Sequence, residues 1–183
     1  MRKLATSAIV ILFLVAVSFA ASSGGKKSKG QKGQGTRIIM TFHTMYAVDG
    51  PFVGDANPIR GVNGDELPWE IENFIRGKLD STGNLQILVR GLVFKDDPSV
   101  PPQLRGKNDE TEFRGLVSCL TEDGNSVVTK NVFTEGFLAN VNGDSFINTE
   151  IELSNPCVAP VIMVLAGSED KWFAVTGFEA EED

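Results

Sequence analysis

From Ile38 onward, apolar and polar residues alternate with a period of two, and no stretch keeps the 3.6-residue stripe of an amphipathic helix. Such a chain is restricted to strands that bury one face each. The segment "WEIENFIRGKLD" sets Trp69, Ile71, Ile75 and Leu79 against Glu70, Glu72, Arg76, Lys78 and Asp80. The turn "STGN" leads into "LQILVRGLVF", whose inward face is Leu85, Ile87, Val89 and Val93. A second hairpin repeats the plan: "FRGLVSCLT", the turn "EDGN", then "SVVTKNVFT". Both run from Arg-Gly through Gly-Asn to Val-Phe, but a repeat architecture needs about three or more units to bury a continuous core.

The remaining segments follow suit. "RIIMTFHTMYAV" opens the pattern as one strand rich in β-branched and aromatic residues. "FLANV" and "SFINTEIEL" flank Asn142 and Gly143, a pair expected where both turn residues need positive φ. "PVIMVLA" is apolar throughout and too short for a helix, which predicts a central strand buried on both faces. "KWFAVTGFE" is the last strand. Eight or nine strands with turns at nearly regular intervals define an all-β chain: an antiparallel β-sandwich, Ig-like or jelly-roll-like, with a β-barrel as the alternative.

Three regions divide the chain. Residues 1–20 place Arg2 and Lys3 before an apolar stretch that ends in Ser18, Phe19 and Ala20, the layout of a secretory signal peptide cleaved after Ala20. The alternative is an uncleaved anchor, because the stretch approaches the length of about 20 residues needed to span a bilayer. Residues 21–37 are Gly, Ser, Gln and Lys with nothing apolar to bury, so they read as a flexible basic linker. Residues 38–183 form the single folded domain. The location expected is therefore secreted, extracellular or periplasmic, with membrane contact only through an uncleaved N-terminus.

Seven of the 17 basic residues precede Ile38, so the domain carries 10 against 24 acids, a net charge of about −14. A nucleic-acid partner is excluded on that ground, since phosphate contacts need a basic face. Cys119 and Cys157, an even pair in an exported chain, are expected to form a disulfide. Cys119 shares the inward phase of its strand with Phe113 and Val117, and a bridge between facing sheets would suit the sandwich.

Catalytic signatures are sparse. His43 is the one histidine and is expected on a strand face, Ser168 in "AGSED" lacks the Gly-x-Ser-x-Gly elbow, and no Walker loop, dinucleotide fingerprint or Cys-x-x-Cys occurs. Two carboxylates converging from distant positions would leave no local pattern, which keeps an extracellular hydrolase as a minor alternative. Two acidic loops remain. The run "VDGPFVGDANPIRGVNGDELPWE" holds Asp49, Asp55 and Asp65, and "KDDPSVPPQLRGKNDE" adds Asp96, Asp97 and Asp109. Both attach at the same end of the first hairpin, and their oxygens suit a Ca²⁺ site, although the spacing is not that of an EF-hand. Turning alone also gathers Gly, Pro, Asn and Asp. Arg60, Trp69 and Arg105 are a third candidate, a patch for an extracellular protein or glycan, although Trp69 alternates with core residues. The expected function is a non-enzymatic binding or structural protein, with a Ca²⁺-assisted carbohydrate-binding module as the alternative.

Overall fold

The computed structural model describes residues 35–177; the expected signal segment and nearly all of the linker lie outside the described residues. Among the described residues, ten strands form two sheets that face each other without closing into a barrel. The four-stranded sheet has the order β1 (Ile38–Phe42), β4 (Trp69–Asp80), β5 (Asn84–Phe94), β8 (Ser145–Glu150). The six-stranded sheet runs β2 (Tyr46–Ala47), β10 (Lys171–Val175), β9 (Val158–Ala166), β6 (Glu112–Asp123), β7 (Ser126–Leu138), and β3 (Asn63–Gly64) joins β10 in the one parallel pairing among the named strands. The two hairpins that look alike in sequence lie in different sheets. Between the sheets sits the core, which includes Ile75, Leu79, Leu85, Ile87, Val117 and Ile147, all buried.

Four details depart from the sequence expectation. The first strand is broken at His43, and β1 and β2 belong to opposite sheets because Phe42 and Met45 are both buried where the chain crosses between layers. Strand β7 runs unbroken to Leu138, so "FL" continues the second hairpin instead of starting a third. Of the pair Asn142 and Gly143, only Gly143 has positive φ (71°), and Asn140 closes the turn by accepting the N–H groups of Asn142 and Asp144 at 2.9 and 3.1 Å. The Cys119–Cys157 disulfide is present but joins β6 to the residue preceding β9, its neighbour in the same sheet, with Cα atoms 4.9 Å apart. It is an in-sheet staple, not a tie between sheets.

Asp80 clamps the β4–β5 turn. Its carboxylate accepts from the Thr82 hydroxyl (2.7 Å), the Thr82 N–H (2.9 Å), the Asn84 amide (3.0 Å) and the Asn84 N–H (3.2 Å). The hydrogen bonds from the Thr82 hydroxyl, then from Asn84, hold the carboxyl at about 2, below its ordinary 3.8. A depressed carboxyl contributes stability that is complete above its unfolded value and lost as pH falls towards the folded one. Acid unfolding followed by fluorescence should therefore show a steep loss between about pH 4 and 2, and Asp80→Asn should flatten that limb. An unchanged acid limb in the variant would contradict the clamp.

The outer faces of the two sheets differ. In the six-stranded sheet, Leu116, Val117, Ser118 and Cys119 of β6 and all residues from Ile162 to Ala166 of β9 are buried in succession, so both faces are covered at these two strands, whereas β7 at the edge keeps Val127 and Phe133 exposed. One cover is the opposing sheet. The other is supplied by residues 48–68, which are anchored to three strands of this sheet: β3 pairs with β10, Arg60 Nη donates to Ala159 O of β9 (3.0 Å), and Asn131 of β7 donates to Arg60 O (3.1 Å). Phe52, Val53, Ile59 and Leu67 pack against the core from this segment, and Phe52 lies 6.1 Å from the Trp172 ring. In the four-stranded sheet the alternation persists, with Leu85, Ile87 and Val89 buried and the residues between them partly exposed.

Candidate functional site

The two acidic loops do meet at one end of the sandwich, as the pairing of Trp69 with Phe94 and the bond from Lys95 N–H to Pro68 O (3.0 Å) require. Their six aspartates nevertheless divide. Asp49 caps the short 3-10 turn Gly50–Phe52, accepting from Gly50 N–H at 2.8 Å, and forms an ion pair with Lys95. That hydrogen bond, with the charges of Asp49, Asp97 and Glu70, holds Lys95 above its ordinary pKa. Asp97 accepts from the Ser99 hydroxyl (2.6 Å) and N–H (2.8 Å), which lowers its pKa and fixes a turn. Asp96 is exposed and pairs with Arg105 at 3.6 Å. Asp55 is exposed in the turn region of the first loop.

Asp65 and Asp109 are brought together. They line a depression of about 170 Å³ with Glu66, Glu110 and Glu169 above the rings of Trp69 and Phe94. Asp65 is buried, and its carboxylate accepts the Trp69 indole N–H at 2.8 Å; burial raises its pKa against that hydrogen bond. Burial, then the charge of Glu110, raises Asp109. Carboxylate oxygens of Asp65, Glu66 and Glu169 lie within 4.8 Å of one another, a set that suits a hard cation. Lys171 already serves two of them, pairing with Glu66 and, at 2.8 Å, with Glu169. Burial opposes the charge on Lys171, but the bonds to Glu169 and Glu66 outweigh it and raise its pKa. The internal ammonium thus supplies the charge that Ca²⁺ would bring.

A consequence is measurable by thermal melting. Added millimolar Ca²⁺ should leave the melting temperature of the native chain within about 1 °C, whereas Lys171→Met should melt lower and recover on adding Ca²⁺. Calcium stabilisation of the native chain, with none in the variant, would reverse this reading. Proton transfer by Asp65 is also disfavoured, since it is committed to Trp69 and the depression is smaller than the roughly 300–1,000 Å³ of ligand pockets.

The proposed patch of Arg60, Trp69 and Arg105 is engaged within the fold. Trp69 is 1 % exposed and stacks on Phe173 with ring centres 3.9 Å apart, so its ring serves the core and not solvent. Arg60 holds Ala159, and Arg105 donates to Val100 O (2.9 Å) as well as pairing with Asp96. His43 is exposed in the bend after β1, not on a strand face, and the Ser168 hydroxyl donates to Glu110 at 2.7 Å.

The outer face of the four-stranded sheet gathers a further group of side chains from three strands. Cross-strand register places Arg76 of β4, Leu88 of β5 and Phe146 of β8 in one row, and Lys78, Gln86 and Asn148 in the next, with Thr41 of β1 beside Lys78. Phe146 is 52 % and Phe74 39 % exposed, and the Arg76 guanidinium lies over the Phe74 ring at 5.0 Å. A depression of about 310 Å³ opens among Thr41, Arg76, Lys78, Gln86, Leu88 and Phe146, with His43 at its rim. Alternation along β4 already puts Phe74 on the face of Arg76 and Lys78, but only register shows that Leu88 and Phe146 join them.

The chain matches no protein-family model, no curated protein and no solved structure.

Proposed function

We propose that the protein is a secreted or surface-tethered, non-enzymatic binding protein that engages an extracellular partner through the outer face of its four-stranded sheet. The observation that carries this reading is the asymmetry of the two outer faces. Residues 48–68 cover the six-stranded sheet over β9 and β10, and the Arg114 beside its exposed Phe133 is neutralised by Asp170, while the four-stranded sheet keeps Phe74 and Phe146 in solvent beside Arg76 and Lys78, which make no ion pair. Exposed aromatic rings grouped with polar residues mark interaction sites more often than scattered apolar residues do. Export is supported by the layout of residues 1–20 and by the disulfide. Among the described residues, no helix is long and apolar enough to cross a membrane.

The test is an array of extracellular polysaccharides and cell-envelope proteins, probed with the full-length chain and with Phe74→Ser/Phe146→Ser. At least one arrayed ligand should bind the native chain and lose about tenfold in affinity for the variant, with no drop in melting temperature. Equal binding by both proteins across the array would overturn the assignment of the face.

A further inference from the structure

We propose that the ligand of this face is an acidic polysaccharide, a chain of uronate or sulfated sugars; the inference rests on the binding-face reading above. The ion pairs among the described residues employ Arg90, Lys95, Arg105 and Arg114, each with one carboxylate, and Lys171 with two. Arg76 and Lys78 take part in none of them, although the domain holds more than two acids for every base. Two adjacent outward cations left without carboxylates in so acidic a domain form a local positive site within a negative surround. The surround is screened beyond a Debye length of about 8 Å at physiological salt, so the local pair decides what docks.

The spacing then selects among anions. Outward residues on one strand repeat every 6.6 Å or so and neighbouring strands lie about 4.8 Å apart, which gives a grid near the dimensions of a sugar ring. One row offers cation, apolar side chain and aromatic ring (Arg76, Leu88, Phe146); the next offers cation and two amides (Lys78, Gln86, Asn148). An acidic sugar presents the matching set: an anionic group, an apolar ring face and hydroxyls. The guanidinium of Arg76, held over Phe74, keeps a planar donor edge suited to carboxylate or sulfate. The acids on this face stand at the far end of the sheet: Asp80, two residues beyond Lys78, is occupied by four hydrogen bonds from Thr82 and Asn84, and Glu150 of β8 is paired with Asn84. An extended peptide would seek an unpaired strand edge for its backbone. Here the cations sit on β4, which is paired on both sides by β1 and β5, so side-chain recognition dominates.

The experiment immobilises polygalacturonate, dextran sulfate, unmodified dextran and poly-glutamate and measures binding of the full-length chain by interferometry. Binding to polygalacturonate or dextran sulfate is expected, weakening as salt rises, with little to dextran or poly-glutamate. Arg76→Glu/Lys78→Glu should lose about 100-fold at an unchanged melting temperature, about tenfold per charge-assisted contact. The two acidic polymers separate carboxylate from sulfate as the favoured group. Dextran or poly-glutamate binding as tightly as the acidic sugars, or acidic-sugar binding that survives the double reversal, would overturn the ligand class. If the array above still shows a ligand lost in Phe74→Ser/Phe146→Ser, the face stands and only the acidic-sugar inference falls.

Discussion

Reduction of the Cys119–Cys157 bridge is expected to lower the stability of the domain by about 4 kcal/mol in the chain-entropy model, for a closed loop of 38 residues. The bridge joins hydrogen-bonded neighbours in one sheet, and β6 and β9 pair on through Val117 and Ile162 without it. Its loss therefore costs few native contacts and acts by freeing the unfolded chain. At about 2–4 °C per kcal/mol for a domain near this size, the melting temperature should fall by roughly 10 °C. Calorimetry with and without a reductant measures the fall, and Cys119→Ala/Cys157→Ala should reproduce it. Alkylation of the native protein followed by mass spectrometry should find no free thiol. Two free thiols, or a melting temperature indifferent to reductant, would contradict both the staple and the exported state.

The second large effect is expected at Gly64. A Cβ built there would stand 2.1 Å from the carbonyl oxygen of Phe52 and 2.6 Å from a Val48 methyl, and the first obstacle is backbone that cannot rotate away. Gly64→Ala must therefore spread the Val48–Phe52 turn away from β3, opening the segment 48–68 from within and loosening its hold on the six-stranded sheet. A cost at or above the upper end of the roughly 1–3 kcal/mol of overpacking follows, with faster amide exchange across 48–68 and new binding of a hydrophobic dye. Gly61 is the control. Its φ of 79° strains an alanine, but nothing lies within 4 Å, so Gly61→Ala should cost about 1–2 kcal/mol and leave the dye unbound. Equal costs for the two variants would mean that the segment is not a fitted cover.

Much of the fold was legible because alternation reports which side of a strand is buried. It located β4 from Trp69 to Asp80 and the central position of β9, and β9 is buried on both faces from Ile162 onward. It failed where a strand changes sheet, since Phe42 and Met45 are both apolar and inward while the chain between them crosses layers. The acids were legible only in part, for a different reason. Their partners are remote in sequence: Lys95 lies 46 residues from Asp49, and Lys171 lies 105 from Glu66. Local composition shows an acidic loop but not the lysine that neutralises it. The outer face was only partly visible for the same cause, because Arg76, Leu88 and Phe146 become neighbours only through the pairing of three strands.

Ligand binding on the outer face of the four-stranded sheet is the central proposal. Amide chemical-shift mapping of the ¹⁵N-labelled full-length chain, titrated with oligogalacturonate, addresses it directly. Shifts should concentrate at Thr41, Arg76, Lys78, Gln86, Leu88 and Phe146. Shifts gathered instead at Asp65, Glu66, Asp109 and Glu169, or none at all up to millimolar ligand, would contradict the account.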